Sequence, residues 1–158
     1  MKIGVVADTH SKELPPKLRE ELSKVDLILH AGDLCETRDL EVFESIGEIK
    51  AVYGNMDSPE VVKQLQRTQV VSCGAFKIGL FHGEGPPDGV LDRVREEFKD
   101  KDVQAVVFGH SHQPLNRKIG GVLFFNPGSP NDDIFAPYKS FGILDVSPKG
   151  ITGKIIKL

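Results

Sequence analysis

Three residue pairs and two single side chains in this 158-residue chain have the types and spacing of metal ligands. Asp8 and His10 lie in "ADTH", Asp33 in "HAGDLCE", Asn55 and Asp57 in "YGNMD", His82 in "LFHGEG", and His110 and His112 in "FGHSH". Imidazoles, carboxylates and an amide oxygen without thiolate suit borderline divalent ions such as Mn, Fe, Ni, Co or Zn, and differ from an all-oxygen Ca or Mg cage. The candidate ligands Asp8, His10, Asp33, Asn55, His82, His110 and His112 exceed the four that one tetrahedral zinc takes, and a carboxylate can bridge two ions, so two divalent ions are expected. Such a pair clamps an in-line displacement at phosphorus and lowers the pKa of bound water from ~15.7 toward ~7. Its charge outweighs the carboxylates of Asp8 and Asp33, which makes small anionic phosphate esters the expected substrates.

Each candidate follows a short apolar run. "KIGVVA" (2–7), "VDLILHA" (25–31) and "EIKAVYG" (48–54) read as buried strands, and "VVSCG", "AFKIGLFHG" and "QAVVFG" repeat the theme. Between them, Leu18 with Leu22, then Leu40, Phe43 and Ile46, then Leu91, Val94 and Phe98, recur at helical spacing. A βαβα opening favours a parallel sheet, and in open α/β sheets ligands bind outside the carboxyl ends of the strands. Five distant segments would therefore meet in one crevice. In extended chain residues i and i+2 face one side, so Asp8 with His10, and His110 with His112, should each aim at a common centre. Gly32, Gly54, Gly83 and Gly109 stand beside the candidates, where tight turns or close backbone approach exclude a Cβ. Gly120-Gly121 and the stretch from Pro148 to Gly150 signal two late hairpins. The result is a mixed α/β fold, expected to be a single domain over residues 1–158.

Composition narrows the function. The net charge is −3 and the lysines and arginines are scattered, so the cationic stripe that long nucleic acid requires is missing. Cys35 and Cys73 form neither a Cys-x-x-Cys pattern nor a disulfide framework, which fits a reducing cytoplasm. No stretch approaches the ~18 apolar residues of a membrane span. Self-association into a homo-oligomer is left open.

The ordered set "DTH", "GDLCE", "GNMD", "HGE" and "GHSH" resembles the calcineurin-like metallophosphoesterase superfamily, and the short length with "NPGS" at 126–129 is similar to its small YfcE-type phosphodiesterase branch. The resemblance spans residues 1 to about 146. It implies a four-layer αββα sandwich of two mixed β-sheets flanked by helices. It also implies a dinuclear centre in which Asp8, His10 and His112 hold one ion, Asn55, His82 and His110 hold the other, and Asp33 bridges. Asp33, Asn55 and His110 would then act in catalysis through a metal-bridging hydroxide that attacks phosphorus, with no covalent enzyme intermediate. Where many members carry a histidine after Gly-Asn, this chain has Met56. A positioned acid or base contributes about 10²- to 10⁴-fold, so diesters and esters with good leaving groups are expected to be preferred over ordinary monoesters. The retromer vacuolar-sorting subunit resembles this branch too, and supplies the alternative of an interaction scaffold with little activity.

Several neighbours carry weaker expectations. Asp57 either orients a ligand from behind or caps a helix starting near Ser58 and Pro59. Glu36 reads as structural, His30 as a satisfied inner histidine or a donor supporting a ligand from behind, and Cys35 as a buried small hydrophobe. The acidic "NDD" at 131–133 is expected near the mouth of the site.

Overall fold

The computed structural model describes residues 1–158 throughout. Ten strands and four helices follow in the order β1 (Lys2–Val6), α1 (Pro16–Leu22), β2 (Leu27–His30), α2 (Thr37–Glu44), β3 (Ile49–Ala51), α3 (Pro59–Gln64), β4 (Thr68–Cys73), β5 (Phe76–Phe81), α4 (Val90–Phe98), β6 (Ala105–Val107), β7 (Leu115–Ile119), β8 (Val122–Asn126), β9 (Ser140–Ser147) and β10 (Gly150–Lys157). One sheet runs β10-β9-β1-β2-β3 and the other β4-β5-β6-β8-β7.

Alternation along the strands explains the layers. Ile3, Val5 and Ala7 join Leu27 and Leu29 in a core shared with Ile78, Leu80, Val107 and Phe125, which packs the two sheets face to face. Val6 and Ile28 point the other way and pack with Leu18, Leu22 and Phe43 of α1 and α2. On the far side, Val106 and Phe124 meet Val94 and Phe98 of α4. Strands buried on both faces need near-continuous apolar runs, and this is why β1, β2 and β6 read as they do. The architecture is a four-layer αββα sandwich of two mixed sheets.

β1 pairs parallel with β2, and β2 with β3, as the βαβα pattern requires. The middle of the chain departs from that theme. Only Gly74 and Ala75 separate β4 from β5, too few residues for a helical crossover, so the two strands form an antiparallel hairpin. The late hairpins form as expected, with Gly120 and Gly121 at φ 57° and 87° turning β7 into β8. No helix is long and apolar enough to cross a membrane.

Candidate metal centre

The loops after β1, β2, β3, β5 and β6 meet at one end of the sandwich, and there the backbone is strained. Seven non-glycine residues have left-handed φ angles: Asp8, His10, Ser11, Asp33, Cys35, His110 and His112. Each costs about 1–3 kcal/mol and persists only where the surroundings impose it. Five of the seven are candidate ligands. The expectation that Asp8 with His10, and His110 with His112, sit as extended i, i+2 neighbours is thereby corrected. With φ of 70° and 54° at the two histidines, the second pair splits, His110 facing Asn55 and His112 facing Asp8.

Two groups result. His112 Nε2 lies 3.4 Å from Asp8 Oδ1 and 3.3 Å from His10 Nε2. Asn55 Oδ1 lies 3.1 Å from His82 Nε2 and 3.0 Å from His110 Nδ1. Asp33 stands between them, its Oδ2 at 4.0 Å from His10 Nε2 and 3.4 Å from His82 Nε2. All seven candidate ligands are therefore brought together.

Hydrogen bonds behind the rings fix which nitrogen faces inward. A backbone carbonyl or a carboxylate only accepts, so the ring nitrogen facing it carries the proton. His82 Nδ1–H donates to the Ala31 carbonyl at 2.7 Å, His110 Nε2–H to the Gly85 carbonyl at 2.6 Å, and His112 Nδ1–H to Asp132 Oδ2 at 2.5 Å. The remaining nitrogens turn toward Asp33, Asn55 and Asp8. Cys35 Sγ lies 3.8 Å from His10 Nδ1. Its thiol is pushed up to about 11 by burial and nearby carboxylates, so it is a half-buried neighbour of His10 and not a nucleophile.

The electrostatics call for a cation. Asp8 and Asp33 are buried, and the only potentially cationic groups within 4.0 Å of their oxygens are imidazoles. Buried charges of this kind are paired or coordinate metals. Burial pushes the His82 and His112 imidazoles down, yet hydrogen bonds and charge from Asp33, Asp8 and Asp132 override it and raise both to about 9. Burial also opposes ionisation of Asp33, but His82 and the Met56 N–H hold its carboxyl below the usual range. Clustered carboxylates and imidazoles, each oriented from behind, are a donor set that fits divalent ions.

Residues singled out beside the candidate ligands turn out to support them. Asp57 accepts N–H bonds from Gly54 at 2.6 Å, Cys35 at 2.6 Å and Asp33 at 3.1 Å, tying the β2 and β3 loops together. Of the two roles expected for it, the cap is absent, since Ser58 occupies the N-cap of α3. Glu36 is an exposed N-cap of α2, as its structural reading implied. In "NPGS", the buried Asn126 donates to the Gly109 carbonyl at 2.9 Å and Ser129 to the Asp8 carbonyl at 2.8 Å, holding two ligand loops. Within "NDD", Asp132 lines the cleft over the candidate ligands as expected, largely buried beside His112, and Asn131 is buried behind it. His112 and the N–H groups following Asp132 hold its carboxyl down at about 2 against the effect of burial. The tight fit appears at Gly54 and Gly109: a Cβ at Gly54 would come within 2.8 Å of the Asp33 nitrogen, and one at Gly109 within 2.9 Å of Asp8 Oδ2.

His30 supports the Asp33 loop from behind, one of the two roles expected for it. Burial drives it down to about 3, leaving it neutral, and its Nε2–H donates to Thr9 Oγ1 at 3.1 Å while that hydroxyl donates to the Asp33 carbonyl at 3.5 Å. Its Nδ1 has no partner, so the ring is an incompletely satisfied prop beneath the Asp33 loop.

The chain is similar to known proteins along most of its length. The profile of the calcineurin-like phosphoesterase superfamily domain matches residues 1–149. The chain is 34% identical over 163 residues to a probable metallophosphoesterase of Methanocaldococcus jannaschii, covering 100% of this chain and 82% of the relative. It superposes on a structurally characterised archaeal phosphodiesterase with a TM-score of 0.79 at 26% identity, covering 99% of this chain and 100% of that one. Vps29 of Entamoeba histolytica shares the fold alone, with a TM-score of 0.79 at 24% identity over 100% of this chain and 99% of that one. This chain belongs to the calcineurin-like phosphoesterase superfamily.

Proposed function

We propose that the protein is a metal-dependent phosphodiesterase acting on small phosphate esters with two divalent ions drawn from Mn, Ni, Fe, Co or Zn. The observation that carries this reading is the position of Asp33 between two separate sets of inward-facing donors, 3.4 Å from one and 4.0 Å from the other. In this reading Asp8, His10 and His112 would hold one ion and Asn55, His82 and His110 the second, with the Asp33 carboxylate available to both. Bound divalent ions supply charge for phosphate oxygens and acidity for a water. The chain's own residues do the rest. Asp57 holds the Asp33 loop, and Asp132 and the carbonyls of Ala31 and Gly85 hold the outward ring protons, so that the inward nitrogens are the ones to be freed for a metal.

Met56 offers no proton to a departing oxygen, so the leaving group has to carry its own charge. This favours aryl esters and diesters over alkyl monoesters. The free thiols of Cys35 and Cys73 favour a cytoplasmic setting, and one domain over residues 1–158 carries the whole site. The scaffold alternative draws on the fold shared with Vps29, but a scaffold has no need of seven converging donors. The test is hydrolysis of aryl diesters, monoesters and cyclic nucleotides after chelation and re-addition of each ion. Wild type should regain turnover, and Asp33→Ala and His110→Ala should not; full activity in both variants would overturn the reading.

A further inference from the structure

The cleft over the metal side chains has a wall that phosphate chemistry does not require. Met56, Ile134 and Phe135 are 58%, 81% and 70% exposed, and all three line the same cleft of about 700 Å³ as His10, Asp33 and His112. Exposed apolar residues scattered singly are ordinary, whereas several beside a charged floor mark a binding surface. Ile134 and Phe135 do not sit on a loose tip. The Asp132 carboxylate accepts N–H bonds from Ile134 at 2.8 Å, Phe135 at 3.2 Å and Ala136 at 3.0 Å, and Gln113 Nε2 donates to the Phe135 carbonyl at 2.7 Å. The Phe135 ring stands edge-on to His112 with centroids 6.4 Å apart. One carboxylate thus holds both a candidate ligand and the turn that presents the apolar pair.

We propose that Ile134 and Phe135 form a subsite for an aromatic arm of a phosphodiester, the arm that stays on phosphorus after hydrolysis. The proposal rests on the phosphodiesterase reading. In that reaction the oxygen of water bonds to phosphorus, one ester oxygen departs with its electron pair and takes up a proton, and the second arm remains on the monoester product. In-line displacement sends the departing oxygen away from the floor, so rim side chains beside His112 flank the arm that is kept. An aromatic ring attracts aromatic groups beyond the area it buries. Lys12 is the only lysine or arginine lining the cleft and already donates to the Asn131 carbonyl at 3.1 Å, so the wall offers contact and little charge.

The experiment uses zinc-loaded protein and two diesters with the same nitrophenolate leaving group, one keeping a phenyl arm and one a methyl arm. Binding of diphenyl and dimethyl phosphate is measured in parallel by calorimetry and by the Ile134 methyl resonance. Wild type should favour the phenyl arm by about tenfold or more in kcat/KM and in affinity, the scale of apolar discrimination. Ile134→Ser/Phe135→Ser should bring the ratio near one, Phe135→Tyr should keep it, and diphenyl phosphate should shift the Ile134 methyl signal. Equal use of both esters by wild type, or a ratio unmoved by the double variant, overturns the subsite and leaves the phosphodiesterase reading standing. No turnover of either ester while diphenyl phosphate still shifts Ile134 sinks the enzyme reading instead. A wild-type dimer that the double variant converts to monomer assigns the apolar pair to a second copy and overturns the subsite.

Discussion

Asp132 Oδ2 lies 2.5 Å from His112 Nδ1, and the same carboxylate accepts the N–H groups of Ile134, Phe135 and Ala136. It decides which nitrogen of His112 faces Asp8. Removing such a partner behind a metal-bound imidazole typically costs 10- to 100-fold in affinity. Asp132→Ala should weaken metal binding by about that factor in chelator competition. Unchanged affinity would show that His112 is oriented by other contacts.

Asp57 joins two loops by accepting three backbone N–H groups. Hydrogen bonds to a charged group are worth about 1.5–3 kcal/mol each and are not additive, so Asp57→Ala should cost about 3 kcal/mol of stability. For a domain of this size that is roughly 6–12 °C in Tm by calorimetry. A drop within 2 °C would mean that the loops are held by other means.

The metal-free protein should lose stability as pH rises. His82 and His112 titrate at about 9 in the folded state, above the ordinary value of 6.5, so folding gains from their protonation. That gain is complete below about 6.5 and disappears as pH climbs through about 9. Divalent ions have to displace the same protons, so loading at pH 7 should release protons and apparent affinity should rise between pH 6 and 9. Titration calorimetry in two buffers of different ionisation enthalpy measures the number released; zero would contradict the assignment of these imidazoles as ligands.

Cys35 has φ 87° and a thiol near His10. Cys35→Gly should remove about 1 kcal/mol of backbone strain while loosening the His10 ring. Melting temperature should hold or rise as metal affinity falls. A parallel fall in both would show that the thiol stabilises the fold.

Met56→His should raise turnover of alkyl monoesters by about tenfold or more relative to aryl diesters, because a proton donor then faces the departing oxygen. An unchanged ratio would locate the diester preference elsewhere.

The strand pattern and the residue types at strand ends were legible because both are local properties: an apolar run such as "KIGVVA" declares a buried strand, and Asp8 and His10 follow it directly. Apart from Asp57, the supports were not. Asp132 reaches His112 across 20 residues and a loop that resembles ordinary polar turn sequence. The Gly85 and Ala31 carbonyls belong to backbone, which carries no residue signature. Left-handed φ at aspartate and histidine is imposed by tertiary contacts, so an extended geometry was the natural but incorrect inference for the paired ligands.

Crystals loaded with Mn and measured at its absorption edge give the most direct measurement. Two anomalous peaks are expected about 3.5–4 Å apart on either side of Asp33, one against His10 and His112 and the other against His82 and His110. A single peak, or none within reach of the Asp33 carboxylate, would contradict the two-ion reading.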